Sequence, residues 1–165
     1  MLHKILKSTD ALFRLPSAQA HCDVPCKVYD PAPALIAALS VIRMADIMAE
    51  AEAKDSSALE KANTLTRCVM TKEEEAEKVK HEVRVIWGDY FKAPQLEEYP
   101  QVHDLVHQIM MKGSACKQTA NRENGEALLE LVNQFAEIFW ATKGVKTTRK
   151  TSPYPPSALV VCPEL

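Results

Sequence analysis

The chain has 165 residues, of which 47% are hydrophobic and 25% charged, and its formal net charge is −2 with a pI near 6.2. This length and composition are typical of one globular domain with a buried core. The slightly acidic balance gives no support to nucleic acid or to an anionic membrane as a partner. We also expect no apolar stretch to reach the length of a membrane span.

Residues 1–20 have the composition of a removable leader. They carry several basic residues and end in Ala18-Gln19-Ala20, which resembles an A-x-A cleavage site. The preceding apolar run is interrupted by Asp10, Arg14 and Pro16, so a secretory signal is poorly formed. The composition is equally compatible with a frayed N-terminal tail or a short helix.

From Asp30 onward the hydrophobic pattern is helical. Asp30 is a suitable N-cap and Pro31 suits the first helical position, so the first helix is predicted to run to about Ala53. After a turn at 54–56, Ser57-Ala58-Leu59-Glu60 has the form of a capping box. It opens a second helix that is expected to end near Tyr90-Phe91 and to bury the apolar positions Ala62, Leu65, Val69, Ala76, Val79, Val83 and Ile86.

Two further helices complete the predicted bundle. A loop bracketed by Pro94 and Pro100 leads to a helix over about 101–112, for which Gly113 is the expected stop. A polar loop over 117–125 precedes the last helix, which is expected to stop at Lys143-Gly144. No strand signal competes, so we predict an all-α, up-and-down four-helix bundle. Residues 145–165 are rich in proline and are predicted to form an exposed tail.

The five cysteines do not suggest a disulfide framework, because their number is odd and their spacing wide. A reducing compartment is the better interpretation, and we expect a cytoplasmic protein. Three of the thiols are read as ordinary, namely Cys68, Cys116 and Cys162. The other two form a close pair, Cys22 and Cys26.

This pair belongs to the stretch AHCDVPCKVYDP, Ala20–Pro31, which concentrates metal-binding side chains before the first helix. Thiolates and imidazole suit soft or borderline transition metals, and a turn of three intervening residues can bring both thiolates onto one ion. The C-x3-C spacing lacks the second cysteine pair of a structural zinc site. Zinc therefore remains an incomplete explanation.

Removal of the leader after Ala20 would change the donor set at His21. This residue would then supply a free amine as well as its imidazole. The amine, the Cys22 amide nitrogen and the two thiolates could surround an ion in one plane, with the ring nitrogen above it. Nickel(II) and copper(II) prefer such a geometry, and anionic donors would stabilise a higher oxidation state for one-electron chemistry.

The segment HCDVPCKVYDP resembles the N-terminal metal-binding hook of nickel-containing superoxide dismutases, whose pattern is H-C-x-x-P-C-x-x-Y. Later segments resemble the same family in the same order: HEVRVIWGDYFKAP (His81–Pro94), EEYPQVHDLVH (Glu97–His107) and IFWATKG (Ile138–Gly144). The resemblance covers residues 21–144, with the hook at 21–29.

The resemblance implies a dismutase that converts superoxide to dioxygen and hydrogen peroxide while one nickel ion per chain cycles between +2 and +3. His21, Cys22 and Cys26 match the family's metal ligands. Tyr29 and Tyr90 match two tyrosines that order water and restrict access to the metal. The resemblance also implies a four-helix bundle, assembly as a homohexamer, and a dedicated peptidase that removes the leader.

The sequence departs from the family pattern around the axial imidazole. A glutamate early in the first helix and an arginine in the second commonly hold this ring in the family, and the corresponding positions here are Ala37 and Glu75. Side chains around a metal ligand normally orient it and tune the metal. The side chains that support His21 are therefore expected to differ from the family's glutamate and arginine.

Several other residues have a structural and a functional interpretation. His103 and His107 lie one helical turn apart and could share a metal, but a solvated or capping pair is favoured because no third ligand is evident. Lys27 and Lys92 are candidates for a basic patch that attracts anionic superoxide. The aromatic residues Trp87, Phe91 and Trp140 are expected in the core or at an interface.

Two hypotheses compete with the nickel enzyme. In one, the chain is a non-catalytic helical module that binds zinc or copper through the same hook. In the other, Cys22 and Cys26 form a disulfide in a thiol-redox or scaffold protein. Loss of residues 1–20 together with a gain of one nickel per chain would distinguish the enzyme from both.

Overall fold

The computed structural model describes residues 27–165. The expected leader and the candidate ligands His21, Cys22 and Cys26 lie outside the described residues. Within the described part the elements follow in this order: α1 (Ala32–Ala53), α2 (Ala58–Val85), a π-helical turn (Ile86–Tyr90), α3 (Ala93–Glu98), α4 (Val102–Gln118), α5 (Arg122–Ala141), β1 (Thr147–Thr151) and β2 (Leu159–Pro163).

The four long helices, α1, α2, α4 and α5, form the predicted up-and-down bundle. Each packs against the next long helix along the chain, and α5 closes the bundle against α1. The interior holds large apolar side chains that are fully buried, among them Ile42, Ile109, Leu128, Phe135 and Phe139. The helices α4 and α5 both turn an apolar face toward this core.

The predicted start of the second helix is confirmed, whereas the first helix begins one residue later than predicted, at Ala32, with Pro31 and not Asp30 as its N-cap. Asp30 Oδ1 accepts a hydrogen bond of 2.7 Å from the Ala32 N–H, at the first turn of α1. At α2, the Glu60 N–H donates to Ser57 Oγ at 3.2 Å, and the Ser57 N–H donates to Glu60 Oε2 at 3.1 Å. The Ser57 N–H and the Ser57 hydroxyl both donate to Glu60 Oε2, and these two bonds hold the pKa of the Glu60 carboxyl below its usual value.

The first half of α2 is oriented differently from the prediction. Ala62 and Val69 are exposed rather than buried. The buried residues here are Cys68 and Lys72, of which Lys72 keeps only 3% of its surface exposed. A long side chain with apolar methylenes can occupy a core position if its charged end finds partners. A prediction of the buried face of α2 from apolar residues alone therefore leaves out Lys72.

The predicted helix stop at Gly113 and the predicted loop end at Gly125 are wrong, because both glycines lie inside helices. α4 continues through Gly113 to Gln118, and α5 begins at Arg122, before Gly125. A Cβ at Gly113 would lie 3.0 Å from Lys80 Cγ, and one at Gly125 would lie 2.9 Å from Ile42 Cγ1. These glycines therefore permit close packing between helices. The predicted loop between Pro94 and Pro100 likewise contains α3.

The prediction of an exposed tail without strands is wrong for residues 145–165. α5 ends as predicted near Gly144, whose φ is +69°, but β1 and β2 then form an antiparallel hairpin with Thr147 opposite Pro163. Val161 is 4% exposed and Ser152 3%. The hairpin packs on α5, where the Asn133 side chain donates to Leu159 O and accepts from the Val161 N–H, both at 2.9 Å.

The expectation that no apolar stretch reaches the length of a membrane span is wrong for α1. This helix of 22 residues is long and apolar enough to cross a membrane by length and composition alone. Half of its most apolar window is buried inside the bundle. The same test is passed by a core helix that packs against neighbours on more than one face, as α1 does against α2 and α5.

Candidate active site

Two tyrosines from distant parts of the chain meet at one end of the bundle. Tyr29 lies just before α1, and Tyr90 is the last residue of the π-helical turn that follows α2. Their ring centroids are 5.9 Å apart and the rings are tilted by 54°. Both side chains are half-buried. The structure thus brings together the two tyrosines that the sequence singled out, at the point where the hook segment joins the bundle.

The π-helical turn sets the position of Tyr90. Its widened backbone is marked by the hydrogen bond from the Phe91 N–H to Ile86 O, at 3.3 Å. Such turns are rare and often occur at functional sites. The turn is tied to α4, because Trp87 Nε1 donates to His103 Nδ1 at 3.1 Å.

The contact with Trp87 gives His103 a structural role. The indole and imidazole rings meet edge to face, with centroids 5.7 Å apart, and one ring nitrogen already accepts the indole hydrogen. His107 is exposed on the same helix. Among residues 27–165, no three His, Cys, Asp or Glu side chains come together in a way that could hold a metal ion, so this histidine pair has no third ligand there.

The Tyr90 ring is enclosed on several sides. Phe91 packs against it at 5.3 Å and Phe139 at 4.9 Å between centroids. Lys143 Nζ lies 4.7 Å from the ring centroid, within the range of a cation–π contact. The phenol oxygen lies 2.7 Å from Thr142 Oγ1. Three of these partners belong to the end of α5 and its C-terminal extension.

Sequence reasoning missed the role of Phe139, Thr142 and Lys143 around Tyr90. They lie in the segment IFWATKG, whose resemblance to a family does not indicate a contact with Tyr90. No spacing rule links position 90 to position 142, since the contact forms only when α5 closes the bundle. The expected placement of Trp87, Phe91 and Trp140 is confirmed, because Phe91 is 3% exposed and both tryptophans pack against the core.

Two lysines predicted to form a basic patch differ in their surroundings. Lys27 is exposed and adopts a left-handed backbone conformation, with φ of 58°, so the chain turns sharply directly after Cys26. Lys92 lies next to the π-helical turn, and its Nζ donates to Gly88 O at 3.0 Å. A third lysine, Lys143, comes from the end of α5 and places its Nζ over the Tyr90 ring.

The two positions that depart from the family pattern lie on the bundle helices. Ala37 is fully buried in α1, and its methyl group offers no polar atom to an imidazole. Glu75 is half-buried on α2, and its carboxylate has the opposite charge to the arginine expected there. Neither residue can hold an imidazole ring as the family's glutamate and arginine do.

The remaining cysteines of the described region, Cys68, Cys116 and Cys162, are free thiols. Burial raises the pKa of the Cys116 thiol to about 11. A buried thiol with a raised pKa is a poor nucleophile at neutral pH. This agrees with the interpretation of Cys116 as an ordinary thiol.

The family model of nickel-containing superoxide dismutases matches residues 16–143. The chain is 41% identical over 127 residues to a nickel superoxide dismutase of Streptomyces coelicolor, a match that covers 77% of this chain and 91% of the relative. It is 40% identical over 124 residues to the nickel superoxide dismutase of Streptomyces seoulensis, covering 75% and 88%.

A solved structure agrees with these matches. A native structure of nickel superoxide dismutase superposes with a TM-score of 0.66 at 41% identity, covering 74% of this chain and 99% of that chain. The family match ends at residue 143, before the hairpin of residues 147–163 begins. On the extent and identity of these matches, the chain belongs to the family of nickel-containing superoxide dismutases.

Proposed function

We propose that the protein converts superoxide to dioxygen and hydrogen peroxide, with one nickel ion per chain. Two superoxide anions and two protons give one molecule of each product, so one anion is oxidised and the other reduced. The observation that carries the proposal is the family match over residues 16–143, which includes the hook and the four long helices. The protein is accordingly an oxidoreductase and an antioxidant enzyme.

The ligands proposed for nickel are the amine and imidazole of His21, the amide nitrogen and thiolate of Cys22, and the thiolate of Cys26. Nitrogen and thiolate donors suit this metal, and their negative charge favours its higher oxidation state. Nickel supplies the one-electron chemistry by alternating between +2 and +3. Residues 27–165 contain no competing cluster of metal-ligating side chains.

Tyr29 and Tyr90 are proposed to order water and to restrict access to the metal. Tyr29 is three residues beyond Cys26, so chain geometry keeps their Cα atoms within about 11 Å of each other. Tyr90 contacts Tyr29 directly, with 5.9 Å between ring centroids. The ring pair is therefore tethered next to the proposed ligands, which supports a role at the entrance rather than in the core.

Positive charge beside the tyrosines supports attraction of the anionic substrate. Lys27, Lys92 and Lys143 belong to the three segments that carry or contact the ring pair. The protein as a whole has a formal charge of −2, so any attraction must be local. A basic patch around a cleft raises the association rate of an anion.

The remaining parts of the proposal concern maturation, assembly and location. A peptidase is proposed to remove residues 1–20, which exposes the His21 amine. A homohexamer is proposed from the family resemblance, and the exposed apolar residues Val69, Met70 and Met111 offer surface for subunit contacts. The free thiols of the described region support a reducing, cytoplasmic location.

The competing hypotheses have less support. The relatives that match over most of this chain are named as nickel superoxide dismutases, and none of these matches favours a non-catalytic zinc or copper module. A disulfide between Cys22 and Cys26 would remove both thiolates from the proposed donor set, so it is incompatible with nickel binding in the proposed form.

The ligand assignment is tested by replacing each hook cysteine. Cys22→Ser and Cys26→Ser should each reduce bound nickel from one per chain to a background level and abolish dismutation, while helical circular dichroism stays largely intact. The bundle core lies in helices beyond residue 31, so the fold should not depend on the hook. Elemental analysis and a superoxide decay assay provide the measurements.

Cys162→Ser is the matched control, because Cys162 is a half-buried free thiol on β2. It should keep both nickel and activity. Retention of nickel and activity by either hook variant would show that the ligand assignment is wrong.

A further inference from the structure

The hydroxyl of Tyr90 is the first member of a short chain of hydrogen bonds at the C-terminal end of α5. Thr142 Oγ1 donates to Phe139 O at 2.6 Å, and it lies 2.7 Å from Tyr90 Oη. A threonine hydroxyl has one hydrogen, and the carbonyl of Phe139 can only accept. With that hydrogen given to Phe139, Thr142 Oγ1 is an acceptor toward Tyr90, so the phenol is the donor.

The surroundings of the ring leave little freedom for another arrangement. Phe91 and Phe139 pack against the Tyr90 ring, and Lys143 Nζ lies over it. Phe139 is fully buried, and its carbonyl anchors the Thr142 hydroxyl. The ring is thus fixed by packing, while the direction of its O–H bond is fixed by one residue, Thr142.

We propose that Thr142 is a positioning residue for superoxide dismutation, which holds the phenol hydrogen of Tyr90 within the protein. This inference rests on the proposed function, in which Tyr90 orders water at the entrance to the metal. Because its hydrogen is donated to Thr142, the Tyr90 oxygen can only accept a hydrogen bond from a water molecule that lies toward the proposed metal site.

The arrangement has a consequence for an anionic substrate. A phenol that accepts from a bound water orients that water so that its other hydrogen is available to superoxide. A phenol released from Thr142 could instead donate to the anion or rotate its hydrogen between partners. Losing the bond should therefore weaken the ordered arrangement at the entrance, by the modest amount that one net hydrogen bond contributes.

The test is a double-mutant cycle on the nickel-loaded, mature enzyme. Thr142→Val keeps the shape of the side chain and removes the hydroxyl, and Tyr90→Phe removes the other partner. Each single variant should lower kcat/KM by about two- to tenfold. The double variant should lose no more than the larger single loss, because both changes break the same interaction. Pulsed generation of superoxide with optical detection gives the rates.

Two controls separate positioning from loss of structure. Thr142→Ser keeps the hydroxyl and should restore kcat/KM to within a factor of about two, and Thr147→Val, a threonine of β1, should leave it unchanged. The C–O stretching band of Tyr90, assigned by subtracting the Tyr90→Phe infrared spectrum, should shift in Thr142→Val and return in Thr142→Ser. Nickel content should stay at one per chain in every variant.

The outcomes distinguish this inference from the function on which it rests. Additive losses in the double variant, an unchanged rate in Thr142→Val, or an unshifted Tyr90 band would each overturn the positioning role, even with a fully active wild-type enzyme. A wild-type protein that binds no nickel or does not dismutate superoxide would instead contradict the proposed function.

Discussion

At the scale of single residues, Lys72 is a buried cation with a defined structural task. Lys72 Nζ donates to Cys116 O and, at 2.8 Å, to Lys117 O. These carbonyls lie in the last turn of α4, where the helix has no further N–H groups to offer. A positive charge is also favourable at a helix C-terminus. Lys72 therefore ties α2 to the end of α4.

The thiol of Cys116, beside this cation, predicts a pH dependence of stability. Burial raises its pKa from 9.0 to about 11, so the unfolded chain loses this proton at lower pH than the folded protein does. The stabilisation is complete below pH 9 and is lost as the pH rises toward 11. The free energy of unfolding should thus fall over this interval.

Denaturant unfolding of the wild type and of Cys116→Ala checks this expectation. The variant should be less stable throughout, because it leaves a small cavity, but its stability should fall less steeply above pH 9. Subtracting the two profiles removes the lysine and tyrosine titrations that both proteins share. Parallel profiles from pH 8 to 11 would show that the Cys116 thiol is not the group responsible.

The sequence allowed prediction of some site residues and not of others. Tyr29 and Tyr90 could be named because each lies in a segment that resembles the family pattern. Thr142 could not, since a polar residue near a helix end is common and its importance comes from a contact across 52 positions of sequence. The hydrogen-bond chain is a property of the closed bundle.

At the scale of elements, helix boundaries were predicted well where a local signal sets them. The Ser57 capping box and the Gly144 turn require no tertiary contact, and both are confirmed. Gly113 and Gly125 were misinterpreted because a glycine that ends a helix and one that permits close packing look alike in a single sequence. The distances to Lys80 and Ile42 decide between the two meanings.

The hairpin was missed for a related reason. Prolines at 153, 155 and 156 suggested an irregular tail, but they lie in the connection between the strands. The strands have only five residues each, and an isolated two-stranded hairpin is marginal in water. Its stability depends on α5, through the Asn133 amide and through ion pairs from Arg149 to Glu130 and Glu137.

Asn133→Leu should detach the hairpin from the bundle. The change removes both bonds to the edge of β2 and leaves Leu159 O and the Val161 N–H without these partners. We expect the hairpin to lose about 1–3 kcal/mol of local stability. Amide hydrogen exchange across Thr147–Pro163 should then accelerate by roughly tenfold or more, while exchange in the core of α2 changes little.

Gln108→Leu on α4 is the control, because Gln108 is exposed and its side chain donates to Asp104, one turn away on the same helix. It should leave hairpin exchange near the wild-type rate. Equal exchange in wild type and Asn133→Leu would mean that the amide does not hold the hairpin, and that the Arg149 ion pairs are sufficient.

At the scale of the whole molecule, the proposed nickel ligands precede a four-helix bundle with a packed core. The described residues supply the two tyrosines and a packed core, but no cluster that could hold a metal. The fold class followed from helical periodicity and is confirmed. The chemistry could not follow from the fold, because a four-helix bundle hosts many functions. In the proposed function this chemistry belongs to His21, Cys22 and Cys26, which precede the first helix.

The central claim is that a newly exposed amine at His21 joins two thiolates in holding nickel. Native mass spectrometry and N-terminal sequencing of active protein, purified from its own host, test it most directly. We predict a chain that begins at His21 and carries one nickel ion. Full activity in a nickel-loaded protein that still begins at Met1 or Leu2 would contradict the claim, because the His21 nitrogen would then be locked in a peptide bond.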